Sequence, residues 1–118
     1  MYTLQIKRIY LPAEDTDGYR VLVDRLWPRG ISKEAAGLDE WCKDIAPSNE
    51  LRKSFGHDAT KFEAFSLSYC AELDKNSGAD VFAAVCGKML LLKNVTLLYG
   101  AKDCEHNNAV VLVKWHKM

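Results

Sequence analysis

Leu4, Ile6 and Ile9 stand among Thr, Lys and Arg, a short extended pattern that predicts a first strand. The turn-rich run PAEDTDG follows as a loop. YRVLVD, from Tyr19 to Asp24, is nearly continuous in apolar and β-branched residues, as expected of a strand buried on both faces of a parallel sheet. Pro28 and Gly30 end it. Ser32 reads as the N-cap of a short helix through Lys33, Glu34 and Ala35. In the segment 38–43 and just beyond, Leu38, Trp41 and Ile45 have helical spacing, and Pro47 breaks whatever forms there. Ser48 caps a further short helix reaching Phe55.

The clearest periodicity comes next. Asp58 is a predicted N-cap, and Phe62, Phe65, Tyr69 and Leu73 fall three or four apart on one helical face. Gly78 suits the position just past its end. Asp80 is read as the next cap, with Phe82, Val85, Cys86, Met89 and Leu90 as a second helical face and Asn94 as its close. VTLLYG is another short apolar, β-rich run. After the polar loop AKDCEHNN, Asp103 would cap a last helix carrying Ala109, Leu112, Val113 and His116 on one face. Residues 110–113 would also suit a strand by local propensity. The helix is preferred, because strand, loop and helix form the recurring α/β unit. The expected fold is α/β: a small, mainly parallel sheet of about four strands flanked by helices, in a single domain over residues 1–118.

Composition narrows this picture. At 118 residues, 48% hydrophobic and 27% charged, the chain can bury one core. Sixteen basic residues balance sixteen acidic ones, which disfavours a dedicated nucleic-acid binder without excluding one. Apolar runs such as residues 89–92 fall far short of the roughly 20 residues of a membrane span. MYTLQIKRIY carries no apolar signal core, so the expected location is cytosolic. Cys42, Cys70, Cys86 and Cys104 are widely spaced; the first three read as small buried hydrophobes, and Cys104 falls in a polar loop. No spacing of ligands calls for a metal, and nothing identifies a cofactor.

Ligands of open α/β sheets bind beyond the carboxyl ends of the strands. Two polar clusters fall at such ends. One is Asp24, Arg25, Trp27 and Arg29. The other is Tyr99, Gly100, Lys102, Asp103, His106, Asn107 and Asn108. If the two strands are parallel neighbours, the clusters share a crevice. Arg25, Arg29 and Lys102 would then hold a phosphate or carboxylate, with Arg supplying a planar fork of donors. Asp24 would orient Arg25, Trp27 would wall the site, Gly100 would admit a close backbone approach, and His106 would move a proton. Asp24 and His106 are thus the candidate catalytic groups. Arg25, Trp27, Arg29, Gly100, Lys102, Asp103, Asn107 and Asn108 are the candidate binding groups. Each also has a plainer role: an internal Asp24–Arg25 pair, Trp27 as a lid on the core, Asn107 and Asn108 as caps or carbonyl partners. His57 and His116 read as surface residues.

DGYRVLVDRLWPRG, LDEWCKDIAPSNELRKSF and LLYGAKDCEHNNAVVL together resemble the domain of unknown function 488 family, in its short YeaO-like form. That family has no established activity. Its longer branch carries a pattern similar to LLCxExxPxxCHR at the last strand. Here Tyr99 takes the place of the first Cys, and Asn107, Asn108 and Ala109 take the places of Cys, His and Arg. The resemblance therefore implies neither thiol nor metal chemistry for this chain. It also implies a strand at residues 38–43, against the helical spacing, and parallel pairing for the sheet, with PAEDTDG as a shortened crossover. Three functions remain open: a small-anion site with or without catalysis, a nucleic-acid accessory role with Trp27 stacking a base, and a partner-binding domain anchored on Trp27 or Trp115.

Overall fold

The computed structural model describes residues 2–117. Four strands form one sheet: β1 (Leu4–Arg8), β2 (Tyr19–Leu22), β3 (Glu40–Trp41) and β4 (Val95–Tyr99). Their spatial order is β1-β4-β2-β3 and every pairing is parallel. β4, the last strand in sequence, lies at the centre with all five residues buried. The continuous apolar runs of β2 and β4 follow from this, since both faces of a central parallel strand are covered.

Alternate side chains of these strands enter two cores. Val21, Val23, Val95, Leu97 and Tyr99 face the larger one, packed by α2 (Asn49–Phe55), α3 (Phe62–Asp74), α4 (Ser77–Met89) and α5 (Asn108–Lys117). Leu22 and Leu98 face the other side, where Ile9, Trp27, Ile31 and Leu38 join Ala36 of α1 (Lys33–Ala36) in a thin second cluster. Toward the amino end of the sheet the second face is polar. The crossover between β1 and β2 is a loop with one turn of 3₁₀ helix at Asp15–Asp17, laid over the sheet. Gln5, Lys7 and Thr96 bind its carbonyls at Thr16, Pro12 and Asp17. Arg20, only 5% exposed, donates to Asp17 and to the carbonyls of Ala36 and Gly37 that end α1.

The expected strands and helices are present, with changes at their ends. Residues 38–43 hold the two-residue strand β3 and run into a 3₁₀ turn at Lys43–Ile45, so the strand replaces the helical reading. Residues 110–113 are helical. Asp58 caps a 3₁₀ turn, Ala59–Lys61, that leads into α3. α3 ends at Asp74, four residues before Gly78, which lies in the first turn of α4. Asn76, not Asp80, caps α4: its Oδ1 accepts from Gly78 N–H while its amide donates to the carbonyl of Asp44 (3.0 Å). That second bond is long-range and invisible to local spacing. Asn94 does not close α4; it joins Thr3 to Thr16 across the start of the sheet. Asp103 does not cap α5 either. Its Oδ1 accepts from the N–H groups of Glu105 and His106 in a local turn, and Asn107 takes the cap, accepting from Val110 N–H.

Candidate functional site

β2 and β4 are neighbours and end at one edge of the sheet, so the two polar segments that follow them meet. The joint is Asp24. Its Oδ2 accepts from Gly100 N–H at 2.8 Å, and its backbone carbonyl accepts from the indole of Trp41 at 2.8 Å. A Cβ at position 100 would stand 3.3 Å from that same oxygen, so glycine lets the backbone approach the carboxylate. One residue back, the Val23 carbonyl accepts from Asn108 at the start of α5.

Beside this joint is a cavity of about 260 Å³. Its polar wall comes from Tyr10, Asp24, Arg25, Arg52, His57, Asn107 and Asn108. Leu26, Trp27, Pro28, Pro47, Phe55, Phe65 and the Gly100–Ala101 backbone complete it. Phe55 and Phe65 stack at 4.3 Å between ring centroids and give the floor a rigid apolar surface.

The expected pair between Asp24 and Arg25 is not made. The Arg25 guanidinium instead donates to the carbonyls of Ala46 and Pro47, each at 3.1 Å, and pins the turn beside the cavity. Among the described residues no cation lies within ion-pair distance of Asp24. Burial pushes the Asp24 carboxyl above its ordinary value; the Gly100 N–H, the Asn108 amide and the positive charge of His57 and Arg52 pull the other way without cancelling it.

Trp27 sits as a lid on the second core. Its indole donates to the Ile31 carbonyl at 2.7 Å and its ring meets Trp41 edge-on at 5.3 Å. Asn107 is 2% exposed and is spent on its cap and on the Asp103 carbonyl. Arg29 and Lys102 are exposed and lie outside the cavity wall, as do Asp103 and His106. His106 binds Asp103 through Nδ1 at 2.8 Å and packs its ring edge-on against Phe62. The hydrogen bonds and charge of its near neighbours hold the Asp103 carboxyl below the usual range, led by the Glu105 N–H and the His106 side chain. These two residues therefore form a local turn of their own.

Arg52, His57 and Tyr10 were not legible as site residues. Arg52 and His57 come from α2 and the turn after it, far from either cluster in sequence. One signal was available for His57: it follows Gly56 in SFGHD, and both adopt positive φ, 54° and 57°. A non-glycine residue in that region is uncommon, though His tolerates it better than most, and such residues gather at functional sites.

The class these observations define is a small α/β domain with a parallel sheet and a half-open pocket at its carboxyl edge, Asn107 and Asn108 in the wall. The chain belongs to the domain of unknown function 488 family: the model described as the inactive DUF488-N3 subclade matches residues 3–117. It is 47% identical over 112 residues to the uncharacterized protein YeaO of Escherichia coli, covering 95% of each chain. It is 33% identical over 111 residues to the uncharacterized proteins Mb3100c of Mycobacterium bovis and Rv3073c of Mycobacterium tuberculosis, covering 94% of this chain and 91% of each relative. No solved structure matches. Among the described residues no helix is long and apolar enough to cross a membrane.

Proposed function

We propose that this protein binds, without transforming, a small molecule carrying a phosphate or carboxylate, in the cavity at the carboxyl edge of the sheet. The observation that carries the reading is the wall itself: Arg25, Arg52 and His57 line one half-open cavity with the stacked Phe55 and Phe65. Mostly apolar pockets with a few convergent polar groups are the usual form of ligand sites. At about 260 Å³ the space lies just under the roughly 300–1,000 Å³ of drug-sized pockets, so the ligand is compact. Arg25 is committed to two carbonyls, which leaves Arg52 as the principal anion partner; it is exposed, and its one side-chain contact is a 3.5 Å bond to Asn49.

Two findings favour binding over catalysis. The family description calls the subclade inactive. The positions at which the longer branch carries its two Cys and its His are given to structure here: Tyr99 is 2% exposed, Asn107 caps α5 and Asn108 holds Val23. The test is calorimetry with phosphate, acetate and benzoate on the wild type, Arg52→Ala and Arg29→Ala. Binding should weaken as salt rises, because part of the attraction is screened. It should fall about tenfold in Arg52→Ala, the worth of one charge-assisted bond at a partly wet site, and stay unchanged in Arg29→Ala. No binding of any of these anions at millimolar concentration would remove the proposal, as would loss in Arg29→Ala but not in Arg52→Ala.

A further inference from the structure

The cavity holds two opposite charges that do not satisfy each other. Asp24 is anchored at its base by the Gly100 N–H, through Oδ2, and aided by the neutral Asn108 amide. Its immediate neighbour Arg25 is turned away to Ala46 and Pro47. Arg52 and His57 act on Asp24 only from outside ion-pair distance. A carboxylate removed from water and left without a cation is unfavourable, and it is stabilised by whatever brings a positive donor to it. A simple anion does the reverse, because it sets a second negative charge beside the first.

We infer that the ligand is a compact zwitterion of the α-amino-acid class, its ammonium on Asp24, its carboxylate toward Arg52 and its side chain on the Phe55–Phe65 floor. This rests on the anion reading above and adds to it the identity of the other end. The arrangement supplies each part of such a molecule with a partner: a carboxylate held by the Gly100 N–H and aided by the Asn108 amide but by no cation, a guanidinium at the open rim, and the apolar Phe55 and Phe65 in the same wall. An uncharged ligand would leave Asp24 uncompensated, and an acid without an amine would bind through Arg52 alone, hence more weakly than its amino counterpart. Burial disfavours the ionised Asp24 carboxyl, and an ammonium arriving there offsets that cost by attraction.

The experiment compares matched pairs on the full chain: phenylalanine against 3-phenylpropionate, and alanine against propionate, by calorimetry near neutral pH with amide chemical shifts mapped for each. The two members of a pair differ only in the amine. We expect the amino acid to bind at least ~10-fold more tightly than its deaminated partner, the value of one charge-assisted hydrogen bond. In Asp24→Asn that preference should vanish, while Arg52→Ala should weaken both members of a pair alike. Asn at 24 still offers an oxygen to Gly100 N–H, and circular dichroism checks that it folds. If the deaminated acids bind as tightly as the amino acids, or more tightly, the zwitterion inference is overturned and the anion site stands. If neither class binds, both fall. If amino acids bind with shifts confined to residues outside the cavity, the assignment to Asp24 is wrong.

Discussion

Two aspartates bracket β2, and the same substitution should separate them. Asp17 is 3% exposed and accepts from the Glu14 N–H at 3.0 Å, from Lys7 Nζ at 3.0 Å and from the Arg20 guanidinium. Arg20 is itself 5% exposed, so Asp17→Asn takes a negative charge from between two buried or half-buried cations. Removing one partner of a buried pair leaves the other uncompensated and costs about 3–5 kcal/mol. A domain of this size has about 5–15 kcal/mol of stability in all. With a urea slope of about 2 kcal/mol per molar, the midpoint should fall by ~2 M at constant slope. Asp24→Asn keeps an acceptor for Gly100 and breaks no ion pair, so it should cost less than about 1 kcal/mol.

Acid separates the two further. Burial raises the Asp17 carboxyl, but the Glu14 N–H, Lys7 and Arg20 outweigh it and hold it below its ordinary value. Its contribution is therefore complete above the unfolded carboxyl value of about 3.9 and is lost as pH falls through the lower folded value. Asp24 is shifted the other way, chiefly by burial, so its contribution is present below that value and is lost as pH rises through the higher folded one. The wild-type advantage over Asp17→Asn should fade in acid, and Asp24→Asn should gain on the wild type as pH rises from about 4. Urea titration from pH 3 to pH 8 reads both. A loss under about 1 kcal/mol for Asp17→Asn, or an equal loss for both variants, would refute the division of roles.

Gly18, at φ 65°, passes so close to Asn94 that a Cβ would stand 2.1 Å from its carbonyl oxygen; Gly18→Ala should cost about 3 kcal/mol or more by denaturation. Leu98 is fully buried in the thin second core, and Leu98→Ala should cost about 2–5 kcal/mol by the same measurement. Cys104 is exposed, whereas burial pushes Cys86 up to about 12 and also raises Cys42 and Cys70, so a thiol reagent at pH 8 should label one cysteine quickly in the native protein and all four in denaturant.

Periodicity and chemistry along the chain determined the α/β class, the buried strands β2 and β4, the helical face through Phe62, Phe65, Tyr69 and Leu73, and the meeting of two polar segments at one sheet edge. Each of these is local, or follows from the rule that parallel strands deliver their exits to one side. The helix ends were less legible, because Asn76 caps α4 while also bonding Asp44, and Asn94 bonds Thr3 and Thr16 instead of closing α4, which spacing does not report. The site itself was decided by tertiary packing. Arg25 was adjacent to Asp24 in sequence and so looked like its partner, yet the Ala46 and Pro47 carbonyls claimed the guanidinium. Arg52 and His57 entered the cavity only because α2 packs on the larger core, with Phe55 stacked on Phe65. Composition counts charges, but only the fold settles which of them are left without a partner, since pairing depends on distance across the core and not on position along the chain.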